Sequence, residues 1–270
     1  KIHFNIGIIR SNATYADSYQ IEGKIDSALI YIERNLNLGR KLNDSFQIGI
    51  ALLNMGVIYR DKMEFEKALA YSLEGKAIFE KRSDPSLLSQ VNDALQTLYN
   101  YRTEYDKAIT YGEQAVAQAR LQKDPLLLIK PLVNLSLSYI AKLDLKKGAL
   151  LLEEALAVCK PLKNPGVEAV ITQNLGEIAL KNYDIPLTKK YITYSLSVFQ
   201  QTGSFDGQAS CLRALAICHM QEKNYTLAKT LADSALLIDK KYGFKREEAA
   251  TLRVLSCIYY ATNNVKKGFE

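Results

Sequence analysis

The sequence NMGVIY at Asn54–Tyr59, followed by FEKA at Phe65–Ala68, is one copy of a pattern that recurs at a constant step of 40 in the numbering. Four columns of this pattern keep one register along the chain without an insertion. The columns read Ala16, Gly56, Gln96, Ser136, Gly176, Ala216 and Ser256; Tyr19, Tyr59, Tyr99, Tyr139, Ala179, His219 and Tyr259; Ile25, Phe65, Tyr105, Leu145, Ile185, Tyr225 and Val265; and Ala28, Ala68, Ala108, Gly148, Thr188, Ala228 and Gly268. A fixed period of this length is typical of a solenoid built from stacked repeats.

Each copy of the pattern predicts two helices. Apolar residues recur at helical spacing on both sides of the turn between Tyr59 and Phe65. Small residues at Gly56 and Ala68 allow the two helix backbones to approach closely, and Tyr59 and Phe65 are expected to fill the space where the helices diverge. The sequence therefore predicts an all-α chain of antiparallel helix pairs.

Capping residues mark where the repeats begin. Asp84-Pro85, Asp124-Pro125 and Asn164-Pro165 recur at the same constant step, and Asp44 precedes a serine at the equivalent place. An Asp or Asn before Pro is typical of a helix N-cap followed by the first helical residue. Pro131 falls inside a predicted first helix, where it predicts a kink or a late start.

The pattern resembles the tetratricopeptide repeat (TPR) family in its small residue at Gly56, its tyrosine three residues later, and an aromatic residue just before Ala68. The step between copies is longer than the family's usual period of about 34 residues. The family's large apolar residue four positions before Gly56 is present at Leu52, Leu132, Leu212 and Leu252, whereas Asn12, Asn92 and Thr172 depart from it. Similar long repeats occur in kinesin light chains, bacterial pheromone receptors and bacterial sensor regions.

This resemblance implies a single domain over residues 1–270 that forms a right-handed superhelical solenoid of helix pairs. About six full units and a truncated seventh are expected. Their approximate bounds are 1–43, 44–83, 84–123, 124–163, 164–203, 204–243 and 244–270. Because the chain begins at Lys1 without a methionine and stops inside the seventh unit, we expect it to be a segment of a longer protein.

Composition argues against several other classes of protein. The formal net charge of +6 is spread over many predicted helices rather than gathered in a basic run, so a nucleic-acid partner is not expected. The sequence contains no glycine-rich phosphate loop, metal-binding motif or nucleophile elbow, so catalysis, a metal site and a cofactor are not predicted. It also contains no signal peptide or membrane span and assigns no compartment.

The four cysteines are interpreted as small apolar core residues. Cys159, Cys211, Cys218 and Cys257 form no Cys-x-x-Cys pair, and histidine is absent at ligand spacing from them. A buried free cysteine behaves as a small hydrophobic side chain. The prediction is therefore four buried thiols rather than a disulfide or metal site.

Candidate ligand-binding residues lie on the predicted first helix of each pair. In the TPR family this helix lines the concave face, where ligands are peptides. Asn54, Asn134 and Asn174 share one phase of the repeat, and a carboxamide can both donate to and accept from a peptide bond. Arg213 and Arg253 are one repeat apart and are a candidate pair for a ligand carboxylate, although solvated charges are an equal alternative. The remaining candidates are Gln90, Asp93, Lys130, Gln173 and Glu177.

Two functional hypotheses follow from the sequence. The first is a non-catalytic scaffold that binds a protein or peptide segment in its concave groove, as the sensory or interaction region of a larger bacterial signalling protein. The second is a structural spacer that associates with itself through its ends. A regulatory subunit of a separate enzyme is a further alternative that the sequence does not distinguish from the first.

Overall fold

The computed structural model of this protein describes residues 2–122 and 124–262, with side chains described from residue 5 onward. Within these ranges all regular secondary structure is helical, and consecutive helices pack against each other in a row within each of two compact units. The helices are α1 (Ile2–Ile21), α2 (Ile25–Lys41), α3 (Ser45–Asp61), α4 (Phe65–Arg82), α5 (Pro85–Tyr101), α6 (Tyr105–Arg120), α7 (Leu126–Ala141), α8 (Leu145–Cys159), α9 (Pro165–Lys181), α10 (Ile185–Thr202), α11 (Phe205–Gln221), α12 (Tyr225–Tyr242) and α13 (Lys245–Ala261), with a short 3-10 helix at Lys160–Leu162. The predicted all-α fold of helix pairs is confirmed, while Val265 and Gly268 of the seventh unit lie outside the described residues.

The helices fall into two compact units, Lys1–Asp144 and Leu145–Glu270. We call these the N-terminal unit, which contains α1 to α7, and the C-terminal unit, which contains α8 to α13. Leu52, Met55 and Ile58 of α3 anchor a buried cluster in the N-terminal unit. In the C-terminal unit, one cluster forms around Ile192 and a second includes Ala228, Leu255 and Ile258 of α12 and α13. Each unit is described by itself.

The turns between helices share one backbone geometry wherever the structure describes the whole turn. One residue in each described turn has a positive φ between 49° and 75°. These residues are Gly23, Asn43, Met63, Ser83, Thr103, Leu143, Lys163, Tyr183, Gly203, Lys223 and Gly243. The turn within a repeat and the turn between repeats therefore both reverse the chain through a left-handed residue, which glycine adopts most easily.

Most of the predicted helix starts are confirmed. The Asp44 carboxylate accepts hydrogen bonds from the backbone N–H groups of the first turn of α3, and Asp84 and Asn164 cap α5 and α9 in the same way. The predicted start of α7 is wrong by one residue, because α7 begins at Leu126 and Pro125 lies in the turn before it. Pro131 lies inside α7, and the helix starts one residue later in its repeat than α5 and α9 do in theirs.

Close helix packing requires the small residues of the Gly56 column. A Cβ atom on Gly56 would lie 2.3 Å from the Ser72 hydroxyl oxygen, and one on Gly176 would lie 2.7 Å from Ile192 Cδ1. Gln96 is the large residue in this column, yet it is fully buried. It fits because the residue it faces is Gly112, where an added Cβ would lie 2.7 Å from Gln96 Cδ.

Three ion pairs join consecutive repeats of the N-terminal unit. Lys62 contacts Asp26 at 2.7 Å, Arg102 contacts Glu66 at 2.7 Å, and Lys142 contacts Asp106 in the equivalent place. Each pair joins the residue after a first helix to the first turn of the preceding second helix, 36 residues earlier. Exposed pairs of this kind contribute at most about 1 kcal/mol each, so they set register more than stability.

The prediction that all four cysteines are buried is wrong for Cys257. Cys159, Cys211 and Cys218 are buried free thiols, whereas Cys257 of α13 is exposed. Burial raises the pKa of Cys211 to about 12 and that of Cys218 to about 11, so both remain protonated at neutral pH. None of the described helices combines the length and apolar character of a membrane span.

Candidate functional site

The first helices of successive repeats lie side by side within each unit. In the N-terminal unit α5 contacts both α3 and α7. These helices carry five of the ten predicted site residues, namely Asn54, Gln90, Asp93, Lys130 and Asn134. We call the surface formed by α3, α5 and α7 the first-helix face of the N-terminal unit.

A buried carboxylate organises the centre of this face. Asp93 is 4% exposed, and its Oδ1 accepts a hydrogen bond of 2.6 Å from Asn134 Nδ2. The Lys130 ammonium lies 3.0 Å from Asp93 Oδ2 while its side chain remains 77% exposed. The structure therefore brings together three predicted residues, and it orients the Asn134 carboxamide before any ligand arrives.

The polar row continues along α5 beyond the predicted residues. Gln96 Nε2 and Asn100 Nδ2 each donate a hydrogen bond of 2.8 Å to the Ser138 hydroxyl oxygen of α7. The Gln96 Oε1 and Asn100 Oδ1 atoms are buried without a hydrogen-bond partner. Sequence reasoning missed these side chains, although Asp93, Gln96 and Asn100 follow the spacing of one helix face.

Asn54 and Gln90 stand apart from that row. Gln90 is exposed on α5, and Asn54 is half-buried on α3. Neither side chain is a partner of the Asp93 carboxylate, which Asn134 and Lys130 contact.

The C-terminal unit has an equivalent face. Its first helices are α9, α11 and α13, and α11 contacts both of the others. Gln173 Nε2 of α9 donates to the Ser210 hydroxyl of α11 at 2.9 Å. Asn174 instead donates 2.8 Å to the Val170 carbonyl of its own helix, so its carboxamide is turned along α9.

The two predicted arginines occupy different environments. Arg213 is partly buried, donates 3.2 Å to the Thr251 hydroxyl and lies 4.0 Å from Asp239. Asp239 is fully buried and accepts a 2.7 Å hydrogen bond from Thr251. Arg253 is exposed on α13. Arg213 therefore compensates the Asp239 carboxylate. Of the two arginines, Arg253 carries the exposed positive charge.

Glu177 is the titratable predicted residue whose environment is most unusual. Burial raises its pKa, and this effect outweighs the opposing influence of a hydrogen bond from Gln173 and the positive charge of Arg213. A carboxyl group in this setting holds its proton more readily than an exposed glutamate.

The ten predicted residues thus form two separate groups, one in each unit. Asp93 contacts both Lys130 and Asn134 in the N-terminal unit. In the C-terminal unit, Gln173 bonds Ser210 and Arg213 bonds Thr251. Thr251 and Asp239 were missed by sequence reasoning because they contact Arg213 from the neighbouring helices α13 and α12 rather than from its own helix. In the described part of the chain, no three His, Cys, Asp or Glu side chains are grouped to hold a metal ion.

Comparison with known proteins identifies matches of fold. No protein-family model and no curated protein matches the sequence. The structure of aspartyl phosphate phosphatase F from Bacillus subtilis aligns with 98% of this chain and 68% of its own length, with a TM-score of 0.80 and 13% identity. A signal transduction ATPase with a tetratricopeptide repeat sensor, from Pyrococcus horikoshii, aligns with 94% of this chain and 39% of its own, with a TM-score of 0.74 and 15% identity.

A quorum sensor gives a further match. The apo form of NprR from B. thuringiensis aligns with 95% of this chain and 71% of its own, with a TM-score of 0.66 and 18% identity. NprR in complex with its cognate peptide NprX aligns with 95% of this chain and 74% of its own, with a TM-score of 0.68 and 17% identity. Since all these identities are low, the likeness concerns the fold: this chain has a TPR-like helical-repeat fold.

Proposed function

We propose that this chain is a non-catalytic scaffold that binds a protein or peptide segment on its first-helix faces. The observation that carries the proposal is the contact among Asp93, Lys130 and Asn134. Hydrogen-bonding side chains from adjacent repeats are held there in fixed orientations, and preorganised groups lose less freedom when a ligand binds.

The chemistry of these faces suits a polypeptide ligand. Asn54, Gln90 and Asn134 present carboxamides, which offer the donor and the acceptor that a peptide bond requires. Arg253 adds an exposed positive charge to the face of the C-terminal unit. The NprR–NprX complex is a precedent for a peptide bound by a protein of this fold.

Within this class we favour the sensory or interaction region of a larger bacterial signalling protein. A quorum sensor and an ATPase carrying a tetratricopeptide repeat sensor are among the proteins of similar fold. This narrower proposal rests on analogy of architecture, since one fold hosts many functions.

A pull-down from lysate of the source cell tests the proposal. The bait is the wild-type chain, run beside an Asn54→Ala variant and a Leu73→Ala control, in which an exposed residue of the second helix α4 is shortened. We expect one partner to be retained by wild type and control and lost by Asn54→Ala. A partner retained equally by all three proteins would contradict a first-helix site.

A further inference from the structure

A groove on the N-terminal unit lies away from the first-helix face. Its walls are the second helices α4 and α6, its floor is α5, and its volume is about 530 Å³. This volume is within the range of about 300–1,000 Å³ that is usual for ligand sites. Lys76, Asn92 and Gln118 contribute polar groups to the lining, and Leu88 and Leu121 contribute apolar ones.

Comparison with the preceding repeat shows that the equivalent positions there are filled by packed apolar side chains. One repeat before Lys76, Asn92 and Gln118, the chain has Leu36, Leu52 and Ile78. Leu36 and Leu52 are at most 5% exposed and belong to one cluster, against which Ile78 packs. Three apolar positions have thus become polar one repeat later, and space has opened between them.

Asn92 is the side chain in this groove that the protein does not satisfy. It is 3% exposed, and its Oδ1 atom is buried without a hydrogen-bond partner. Leaving such an acceptor unpaired is destabilising, so an unpaired one calls for an explanation.

The other polar residues in the Asn92 column are satisfied by a partner at one fixed separation along the chain. Asn12 donates 2.8 Å to Asn35 Oδ1, and Thr172 and Ser195 share a 2.8 Å hydrogen bond. The residue at the same separation from Asn92 is Ala115, which has no polar side-chain atom. The polar residue of this column therefore has a hydrogen-bond partner at that separation in two repeats. In the third repeat, beside the groove, Asn92 has none there.

The charge of the groove indicates a neutral ligand. Lys76 is paired with Glu80 at 2.7 Å, so this wall carries no uncompensated charge for a phosphate or carboxylate. The carboxamides of Asn92 and Gln118 complement the N–H and C=O of a peptide bond. Leu88 and Leu121 offer an apolar surface to a neighbouring aliphatic side chain.

We propose that this groove is a second binding site, which takes a neutral peptide segment. One peptide N–H donates to Asn92 Oδ1, which rotation of the carboxamide turns toward the ligand, and an adjacent aliphatic side chain packs against Leu88 and Leu121. The site goes beyond the proposed function, because its walls are second helices and its ligand need not be the one on the first-helix face.

The test is a titration of the isotope-labelled chain with N-acetyl-L-leucine N-methylamide, followed by NMR. We expect saturable shifts of the Asn92 side-chain amide and the Leu88 and Leu121 backbone amides. A probe of about 13 heavy atoms is expected to bind with a Kd of about 1 mM. Methyl 2-acetoxy-4-methylpentanoate, which has the same shape but no N–H, is expected to bind about tenfold more weakly.

Two substitutions separate the role of the amide from that of the cavity. Asn92→Leu restores the residue type of Leu52 and fills the groove, whereas Asn92→Ala enlarges it. Both are expected to weaken binding at least tenfold, as read from the Leu88 and Leu121 backbone amides. Thr110→Ala, at an exposed site of α6 outside the groove, is expected to retain them. Absence of saturable shifts with the wild type, equal binding of the two probes, or wild-type binding by Asn92→Ala would overturn the proposal.

Discussion

Asn134 and Asp93 are 41 residues apart, and the Asn134 carboxamide donates a 2.6 Å hydrogen bond to the Asp93 carboxylate across α7 and α5. Asn134 therefore has two roles on the first-helix face. It satisfies a buried charge of the protein, and under the proposed function its carboxamide also binds the ligand. Asn54 shares its phase of the repeat but not the first of these roles.

This difference predicts opposite effects on stability. Asn134→Ala removes a donor from the buried Asp93 carboxylate and is expected to lower the free energy of unfolding by about 2–3 kcal/mol. Asn54→Ala is expected to change it by no more than about 0.5 kcal/mol. Urea denaturation of the two variants measures both values. Equal destabilisation by the two substitutions would contradict the role given to Asp93.

The packing of Gln96 against Gly112 predicts how stability changes when the sizes of these two side chains are altered. Gly112→Ala places a Cβ atom 2.7 Å from Gln96 Cδ, and overpacking of this kind costs about 1–3 kcal/mol. Gly166→Ala is the matched control, because an added Cβ there meets no atom closer than 3.6 Å.

The double variant Gln96→Gly, Gly112→Ser recreates the Gly56–Ser72 pair of the preceding repeat. We expect it to be more stable than Gly112→Ala, as measured by thermal unfolding. If Gly112→Ala is as stable as the Gly166→Ala control, the close packing described for α5 and α6 is wrong.

The left-handed turns predict that glycine stabilises positions where the chain has a large residue. Tyr183 is 79% exposed and has a φ of 61°, a conformation unfavourable for any side chain with a Cβ atom. Tyr183→Gly is therefore expected to raise the free energy of unfolding by about 0.5–1 kcal/mol.

The converse substitution is the control for this prediction. Gly203 occupies the equivalent place one turn later with a φ of 72°, and Gly203→Ala is expected to lower the free energy of unfolding by about 1 kcal/mol. Urea denaturation compares the two variants. A change of the same sign in both would contradict the shared turn geometry.

The raised pKa of Glu177 predicts a dependence of stability on pH. The folded state holds the Glu177 proton to a higher pH than the unfolded chain, whose reference pKa is 4.5. Its contribution to stability is therefore fully present below that value and is lost as pH rises through the folded pKa. Glu177→Gln is expected to gain stability relative to wild type as the pH rises from 4.5 to neutrality. A difference between the two proteins that does not vary over this range would contradict the assignment.

The repeat made the helix pairs and their caps predictable, because Gly56, Tyr59 and the Asp-Pro pairs are local signals at a constant step. The left-handed turns in the described part of the chain were harder to predict from the sequence, because residues as different as Met63, Leu143 and Tyr183 have the positive φ there. The type of side chain does not predict a positive φ at these turns, because packing of the helices on both sides imposes the backbone geometry.

The repeat predicted which candidate residues lie on first helices but not the hydrogen bonds among them, and their role in ligand binding stays a prediction. Asp93, Lys130 and Asn134 were all identified from the sequence, and the separation of Asp93 from Asn134, one repeat plus one residue, follows from the packing of α5 on α7. The exposure of Cys257 was not predictable from periodicity, which places a residue on a helix but does not determine which neighbours cover it.

Site-specific photo-crosslinking directly tests whether a polypeptide binds on the first-helix face. A benzophenone amino acid is placed at Gln90 on the first helix α5 or at Leu73 on the second helix α4, two exposed positions of the same unit. After irradiation in source-cell lysate, mass spectrometry identifies the captured polypeptide. We expect one polypeptide to be crosslinked at Gln90 and not at Leu73, and we expect Asn54→Ala to reduce the amount crosslinked at Gln90. Capture at Leu73 with none at Gln90 would contradict binding on the first-helix face.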